Sequence, residues 1–215
     1  MDLAKNATSA IMLESSTGEI IFQKNANEKR PPASMTKMMS MLLIMENIEK
    51  GNLTFEEEVT ASAYASSMGG SQIFLETNEM MTVEDLVKGI CIASGNDATV
   101  ALAEKIAGTE KAFVKLMNDK AKNLGLKNTN FVNATGLDAE GHYSSAHDMS
   151  VMARELVRHE KILEFSSIYE DYLRQNTDRK IWLVNTNKLV RFYEGVDGLK
   201  TGYTASSVCG KNKCI

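Results

Sequence analysis

Ser34 stands three residues before Lys37 in the run Ser34-Met35-Thr36-Lys37, directly ahead of a stretch dense in apolar residues. On a helix that spacing puts a hydroxyl and an amine on one face, where the amine can take the hydroxyl proton and leave an oxygen nucleophile. The amine serves as a base only when neutral, and burial together with a second nearby cation achieves this by depressing its pKa. A helix start also offers free backbone N–H groups and the positive end of the dipole, both favourable to an oxyanion. Taken alone, the pattern is equally that of a capped helix with a surface lysine, and roughly one chance Ser-x-x-Lys is expected in a chain of this length.

Two further sets give the first its weight. Ser94-Gly95-Asn96 falls between two apolar helical segments, where a hydroxyl and an amide can project into a cleft, one to shuttle a proton and one to hold a peptide backbone. The same triplet could be no more than a helix C-cap followed by an N-cap. Lys200-Thr201-Gly202 reads as part of a strand, with Lys200 and Gly202 on one face. There the cation could bind a carboxylate and depress the pKa of Lys37, while Gly202 would let a ligand approach closely. A surface strand with a lysine is its plain alternative. The joint occurrence of all three, in this order, separates signal from accident.

The elements that must position these residues follow from the pattern. Ser9 to Glu14 and Glu19 to Lys24, around Ser15-Ser16-Thr17-Gly18, read as a β-hairpin. After Pro31-Pro32, Ser34 to Lys50 is a helix apolar nearly all round and hence buried. Helical segments are expected near Phe55 to Ser66, Val83 to Ala93, Asp97 to Ala107 and Lys111 to Leu124, forming a helical subdomain over roughly 54–145 within a single catalytic domain over 1–215. Lys127 to Ser145, rich in Asn, Thr and Gly, reads as a long surface loop of the kind that carries function, before a helix from about Ala146 to Val157. Trp182 to Val190 looks extended, and Gly198 to Thr204 looks like a further strand. Hairpin, helices, then strands argue an α+β class rather than alternating βαβ units.

Composition narrows the function classes. With 215 residues and 43% hydrophobic content the chain can bury a sizeable core. A net charge of −4 and scattered basic residues make nucleic acid a poor partner. Cys91, Cys209 and Cys214 lack the paired spacing of a metal knuckle, and His142, His147 and His159 are too dispersed for a ligand set, so neither metal nor other cofactor is expected. Cys91 reads as core, and whether Cys209 and Cys214 pair is left open. No run of eighteen apolar residues occurs.

Wider stretches carry a family resemblance: Arg30-Pro31-Pro32-Ala33-Ser34-Met35-Thr36-Lys37, Ala93-Ser94-Gly95-Asn96-Asp97-Ala98, Gly136-Leu137-Asp138 with Tyr143-Ser144-Ser145-Ala146-His147-Asp148, and Asn185-Thr186-Asn187. From Ala10 to Thr204 the chain resembles the serine-type D-alanyl-D-alanine carboxypeptidases, low-molecular-weight penicillin-binding proteins. The resemblance implies a DD-peptidase/β-lactamase-like fold, an antiparallel sheet plus a helical subdomain. It implies Ser34, Lys37 and Ser94 as catalytic nucleophile, base and proton relay. Asn96, Lys200, Thr201, Gly202 and Tyr203 then bind substrate, with the backbone N–H groups of Ser34 and Tyr203 as the oxyanion hole. The implied substrate is the peptidoglycan stem peptide, with β-lactams as covalent inhibitors, at the outer face of a bacterial cytoplasmic membrane and peripheral to it. The middle Gly of Ser94-Gly95-Asn96, and the lack of a Glu-x-x-Leu-Asn in the loop region, disfavour a dedicated β-lactamase.

Members of that family begin with an export signal and follow the Lys-Thr-Gly strand with two more strands and a helix. Here Met-Asp-Leu-Ala-Lys-Asn opens the chain, and Ala205 to Ile215 is all that follows Thr204. The expectation is a chain cut short, with an incomplete sheet and impaired activity. A catalytically silent fragment that binds cell-wall peptide and a β-lactamase-like hydrolase are the competing functions.

Overall fold

The computed structural model describes residues 3–203. An antiparallel hairpin, β1 (Ala10–Leu13) and β2 (Ile20–Lys24), opens the fold, with its register shifted between Met12 and Leu13. A turn of 3-10 helix over Ala33–Thr36 leads into α1 (Lys37–Glu49). Nine consecutive residues of α1, from Lys37 to Met45, are buried, as an all-round apolar helix requires. It contacts α4 (Asn96–Ala107), α5 (Glu110–Asn123) and α6 (Ala146–Leu156), which form a helical jacket around it.

Several of the remaining helices start where the sequence supplies a hydroxyl cap. Thr82 caps α3 (Val83–Ala93), Thr109 caps α5 and Ser145 caps α6, each hydroxyl accepting a backbone N–H in the first helical turn. The α3–α4 joint turns on Ser94, whose φ of 63° and ψ of 33° are left-handed, a conformation that costs a non-glycine residue about 1–2 kcal/mol. Asp97, fully buried just beyond that joint, accepts the backbone N–H groups of Ile73 and Leu75 at 3.0–3.1 Å. It thereby ties the loop ahead of β4 (Met80–Thr82) to the start of α4.

Four expectations need correction. The helix expected over Phe55 to Ser66 is instead β3 (Glu58–Thr60), paired antiparallel with β4, and a short α2 (Ala63–Ser66). Val59 is buried between exposed Glu58 and Thr60, a two-residue alternation too brief to stand out from a helical pattern. The extended stretch from Trp182 ends early: β6 (Ile181–Val184) stops where Asn185 and Asn187 take over the backbone bonding, and Leu189–Phe192 forms α8. The pattern did not bring out α7 (Glu160–Ser166) or β5 (Glu170–Leu173), the strand that pairs with β6. Nor is Gly198–Tyr203 a strand; it pairs in no ladder among the described residues and is held by side chains instead. The β structure described is three two-stranded antiparallel pairs, not one sheet. Thr204, Cys209 and Cys214 lie outside the described residues.

Asp97→Ala should lower the unfolding free energy by about 3–5 kcal/mol, because the buried backbone N–H groups of Ile73, Leu75 and Ala98 lose their acceptor. Asp97→Asn, which keeps one acceptor oxygen, should lose less. Urea denaturation followed by circular dichroism measures both, and a change below about 0.5 kcal/mol in the alanine variant would contradict the argument.

Candidate active site

The turn before α1 sets the site. Ala33, buried and at φ 50°, bends the chain so that the partly exposed Ser34 leads directly into the buried Thr36 and Lys37. The Lys37 amine then donates to Ser34 Oγ at 3.0 Å and to the Thr135 carbonyl at 2.8 Å. This hydroxyl–amine distance is within the range that proton transfer needs. The amine is fully buried, and that burial holds its pKa well below the usual lysine value. The nearby Lys200 charge pushes the same way, and Asp97 opposes both. Lys37 is thus biased toward the neutral amine that a base requires.

The long loop expected over Lys127 to Ser145 supplies half of this geometry through its backbone. Asn130 bridges Tyr143, and Arg30 bridges Ser144, so the loop is closed on itself and stitched to the segment ahead of Ser34. Its inner limb runs along α1: the Ala134 carbonyl accepts Ser40 Oγ at 2.7 Å, and the Thr135 carbonyl accepts Lys37. Gly136, at φ +85°, lies so close to the Ser34 turn that a Cβ there would stand 1.8 Å from the Ala33 carbonyl oxygen.

Ser94 and Asn96 are both buried, and both keep an unanswered atom. Ser94 Oγ and Asn96 Oδ1 have no hydrogen-bond partner, whereas Asn96 Nδ2 donates to the Gly69 carbonyl at 2.6 Å. A Cβ on Gly70 would meet that amide nitrogen at 2.8 Å, so this loop is shaped to hold the Asn96 amide in one orientation. The relay expected of Ser94 is therefore not closed here, since its Oγ bonds neither Lys37 nor Ser34. A buried acceptor left open costs free energy unless a ligand satisfies it.

The Lys200-Thr201-Gly202 segment packs against the Ser34 turn, with the Gly202 Cβ position 3.0 Å from the Pro32 carbonyl oxygen and 3.2 Å from both Ala33 and Met35. Thr201 Oγ1 donates to Thr186 Oγ1 at 2.8 Å, and Asn187 Nδ2 donates to the Gly198 carbonyl at 2.8 Å. These bonds do what ladder pairing was expected to do. Lys200 is buried, its amine donating to the Thr201 carbonyl at 3.1 Å; burial lowers its pKa to about 8, with the Cys91 thiol pulling weakly the other way. Tyr203 stands exposed at the end of the segment. Of the eight expected residues, the structure bonds Ser34 to Lys37 and packs Gly202 against the same turn, while Ser94 and Asn96 sit together at the α3–α4 joint, Lys200 and Thr201 lie buried beside Gly202, and Tyr203 is exposed. Thr135, Gly136 and Ala33 were not singled out, because their contributions are a carbonyl, a missing side chain and a backbone angle.

The D-alanyl-D-alanine carboxypeptidase profile, Peptidase_S11, matches residues 2–210. The chain belongs to this family. Among its relatives, the D-alanyl-D-alanine carboxypeptidase DacF of Bacillus subtilis is 60% identical over 206 residues, covering 96% of this chain and 53% of its own length. The crystal structure of the D-alanyl-D-alanine carboxypeptidase DacD from Francisella tularensis superposes with a TM-score of 0.90 at 28% identity, over 96% of this chain and 62% of that one. Penicillin binding protein 6B from Escherichia coli gives a TM-score of 0.86 at 35% identity, covering 92% and 63%. The DD-peptidase fold expected from the sequence is therefore present. This D-alanyl-D-alanine carboxypeptidase family member spans about half the length of the curated relatives it matches.

Replacing Lys200 by Ala removes a cation that, below about pH 8, repels the proton on Lys37. The Lys37 pKa should therefore rise, moving the acid limb of Ser34 modification upward by about one pH unit, the order a neighbouring charge imparts. An uncharged fluorophosphonate, which needs no carboxylate anchor, reads this limb. A limb that stays in place would show that the two amines do not interact.

Proposed function

We propose that this chain carries the acyl-transfer centre of a serine-type D-Ala-D-Ala carboxypeptidase. The observation that supports this most directly is the 3.0 Å bond from the buried Lys37 amine to Ser34 Oγ, in a member of this family. Ser34 Oγ attacks the carbonyl carbon between the two terminal D-alanines of a peptidoglycan stem peptide, and its proton passes to Lys37. The backbone N–H groups of Ser34 and Tyr203 take the oxyanion. As the C–N bond breaks, Ser94 Oγ relays a proton to the leaving D-alanine amine, and an ester on Ser34 remains. Water then attacks that ester, releasing the shortened peptide as its carboxylic acid and restoring the hydroxyl.

The open groups of the cleft suit this substrate. Asn96 Oδ1, buried and unpartnered, is an acceptor for a substrate amide N–H. Lys200 and Thr201 provide a cation and a hydroxyl for the terminal carboxylate, and Gly202 lets the peptide backbone draw near. A β-lactam presents the same carboxylate beside a strained amide. Its amine stays tethered after ring opening, so the acyl-enzyme persists. This reading includes a centre that works at the outer face of a bacterial cytoplasmic membrane, where such a substrate is met, and peripheral to it. Among the described residues no helix is long and apolar enough to cross a membrane.

Incubation with penicillin followed by intact-mass and peptide mass spectrometry should locate one adduct on Ser34. Ser34→Ala should abolish it, and Lys37→Ala should slow its formation by about 10²–10⁴-fold, the range for loss of a positioned base. An adduct on any other residue, or one that survives in Ser34→Ala, would refute the proposal.

A further inference from the structure

His142 belongs to none of the three motifs, and it is buried at 6% exposure where the loop meets the Ser34 turn. Its Nδ1 accepts the Val132 backbone N–H at 3.0 Å, and its Nε2 lies 2.8 Å from Thr36 Oγ1. A backbone N–H can only donate, so Nδ1 carries no proton. The ring proton is therefore on Nε2 and is donated to Thr36. Burial lowers the His142 pKa to about 4 against the opposing charge of Asp138, which keeps the ring neutral at neutral pH.

The two partners of the ring are the two halves of the base's environment. Thr36 precedes Lys37 in the turn that carries Ser34. Val132 begins the loop limb that delivers the Ala134 carbonyl to Ser40 and the Thr135 carbonyl to Lys37. His142 also forms part of the wall of an open cavity of about 380 Å³, together with Pro31, Ala33, Gly136, Asp138 and Glu140. Thr36, behind the ring, is fully buried. The imidazole thus joins turn to limb and stands between a solvent-sized space and the residue next to the base.

We propose that His142 is a positioning residue for the Ser34–Lys37 pair, clamping the Thr36 turn to the Val132–Thr135 limb so that the Thr135 carbonyl stays on the Lys37 amine and water stays out. It touches neither Ser34 nor Lys37 and acts through both neighbours. The inference rests on the acyl-transfer reading of the site, which supplies its readout. Burial is the largest cause of the depressed Lys37 pKa, with the Lys200 charge acting in the same sense and Asp97 in the opposite one. Removing the ring admits water without altering either charge. The Lys37 pKa then rises, and more alkaline conditions are needed to make the base.

The test is the pH dependence of penicillin acylation of Ser34 in wild type, His142→Ala, His142→Asn and Thr36→Val. In His142→Ala the acid limb should move up by about one pH unit, a tenfold slower acylation below the limb, with the final labelled fraction unchanged. His142→Asn, whose side-chain oxygen overlays Nδ1 and can accept the Val132 N–H, should restore much of the limb. Neutral His142 does not itself titrate in this range, so the shift reports Lys37. An unmoved limb in a fully labelled His142→Ala would overturn the proposal, as would a variant that only loses labelled fraction. If His142→Ala does not fold, Thr36→Val removes the acceptor at nearly constant volume; it should shift the limb upward too, and no shift there is equally fatal. Wild type that takes no label at Ser34 defeats the acyl-transfer reading and this inference with it, whereas labelled wild type with an unmoved limb defeats this inference alone.

Discussion

The structure depends on keeping one lysine amine dry. An ammonium taken out of water without a paired anion is expensive, and the group responds by losing its proton. Lys37 lies in that situation, wholly buried, with a hydroxyl and a carbonyl as its hydrogen-bond partners and a second buried cation nearby. The neutral amine satisfies these partners as donor and can still accept a proton from Ser34. Had the same side chain opened to solvent, its ordinary pKa would leave it charged and useless as a base at neutral pH. Every element that excludes water from this point therefore bears on the chemistry as well as on stability.

The core explains how the burial is achieved. Helix α1 is apolar on all sides because the jacket of α4, α5 and α6 surrounds it, so the first turn of α1 is carried inside together with the rest. Ser34 remains within reach of the cleft because the chain bends at Ala33 in a left-handed conformation, a local strain the surroundings sustain. The surroundings in question are Gly136 on one side and Gly202 on the other, each against the backbone of the same turn. Neither glycine could carry a side chain without displacing the turn, so these close approaches tie the position of Ser34 to segments about 100 and 170 residues away in sequence.

Much of this was legible because it is written in side chains. The three motifs, the all-round apolar helix and the helices near Val83 to Ala93, Lys111 to Leu124 and Ala146 to Val157 are local patterns with local causes. The parts that escaped are those where backbone does the work or where tertiary pairing overrides pattern. Glu58–Thr60 is too short to reveal its period until Met80–Thr82 pairs with it. The 198–203 segment looks extended but takes its order from Thr186 and Asn187, side chains contributed from beyond β6. Thr135 contributes a carbonyl, which any residue has, so nothing in its identity announces it. His142 was counted among scattered histidines because its partners are a backbone N–H and a threonine, neither of which resembles a site.

The joint between α3 and α4 shows what the protein gives up for the cleft. Ser94 holds a left-handed conformation that glycine would adopt without strain, and its hydroxyl, like Asn96 Oδ1, is buried without a partner. Each open acceptor or donor weighs against folding by about 1–3 kcal/mol, a large fraction of a typical domain's margin. The neighbouring Asp97 works in the opposite direction, satisfying three backbone N–H groups and fixing the joint so that the strained serine and the open amide cannot relax away. The joint is thus strained at Ser94 and held firmly in place by Asp97, with the Ser94 hydroxyl and the Asn96 carbonyl oxygen left for partners from outside the chain. A peptide backbone carries the N–H that Asn96 lacks, and a leaving amine can take the proton that Ser94 has nowhere else to place. On the proposed reading, these are the bonds that an acyl-transfer substrate would complete.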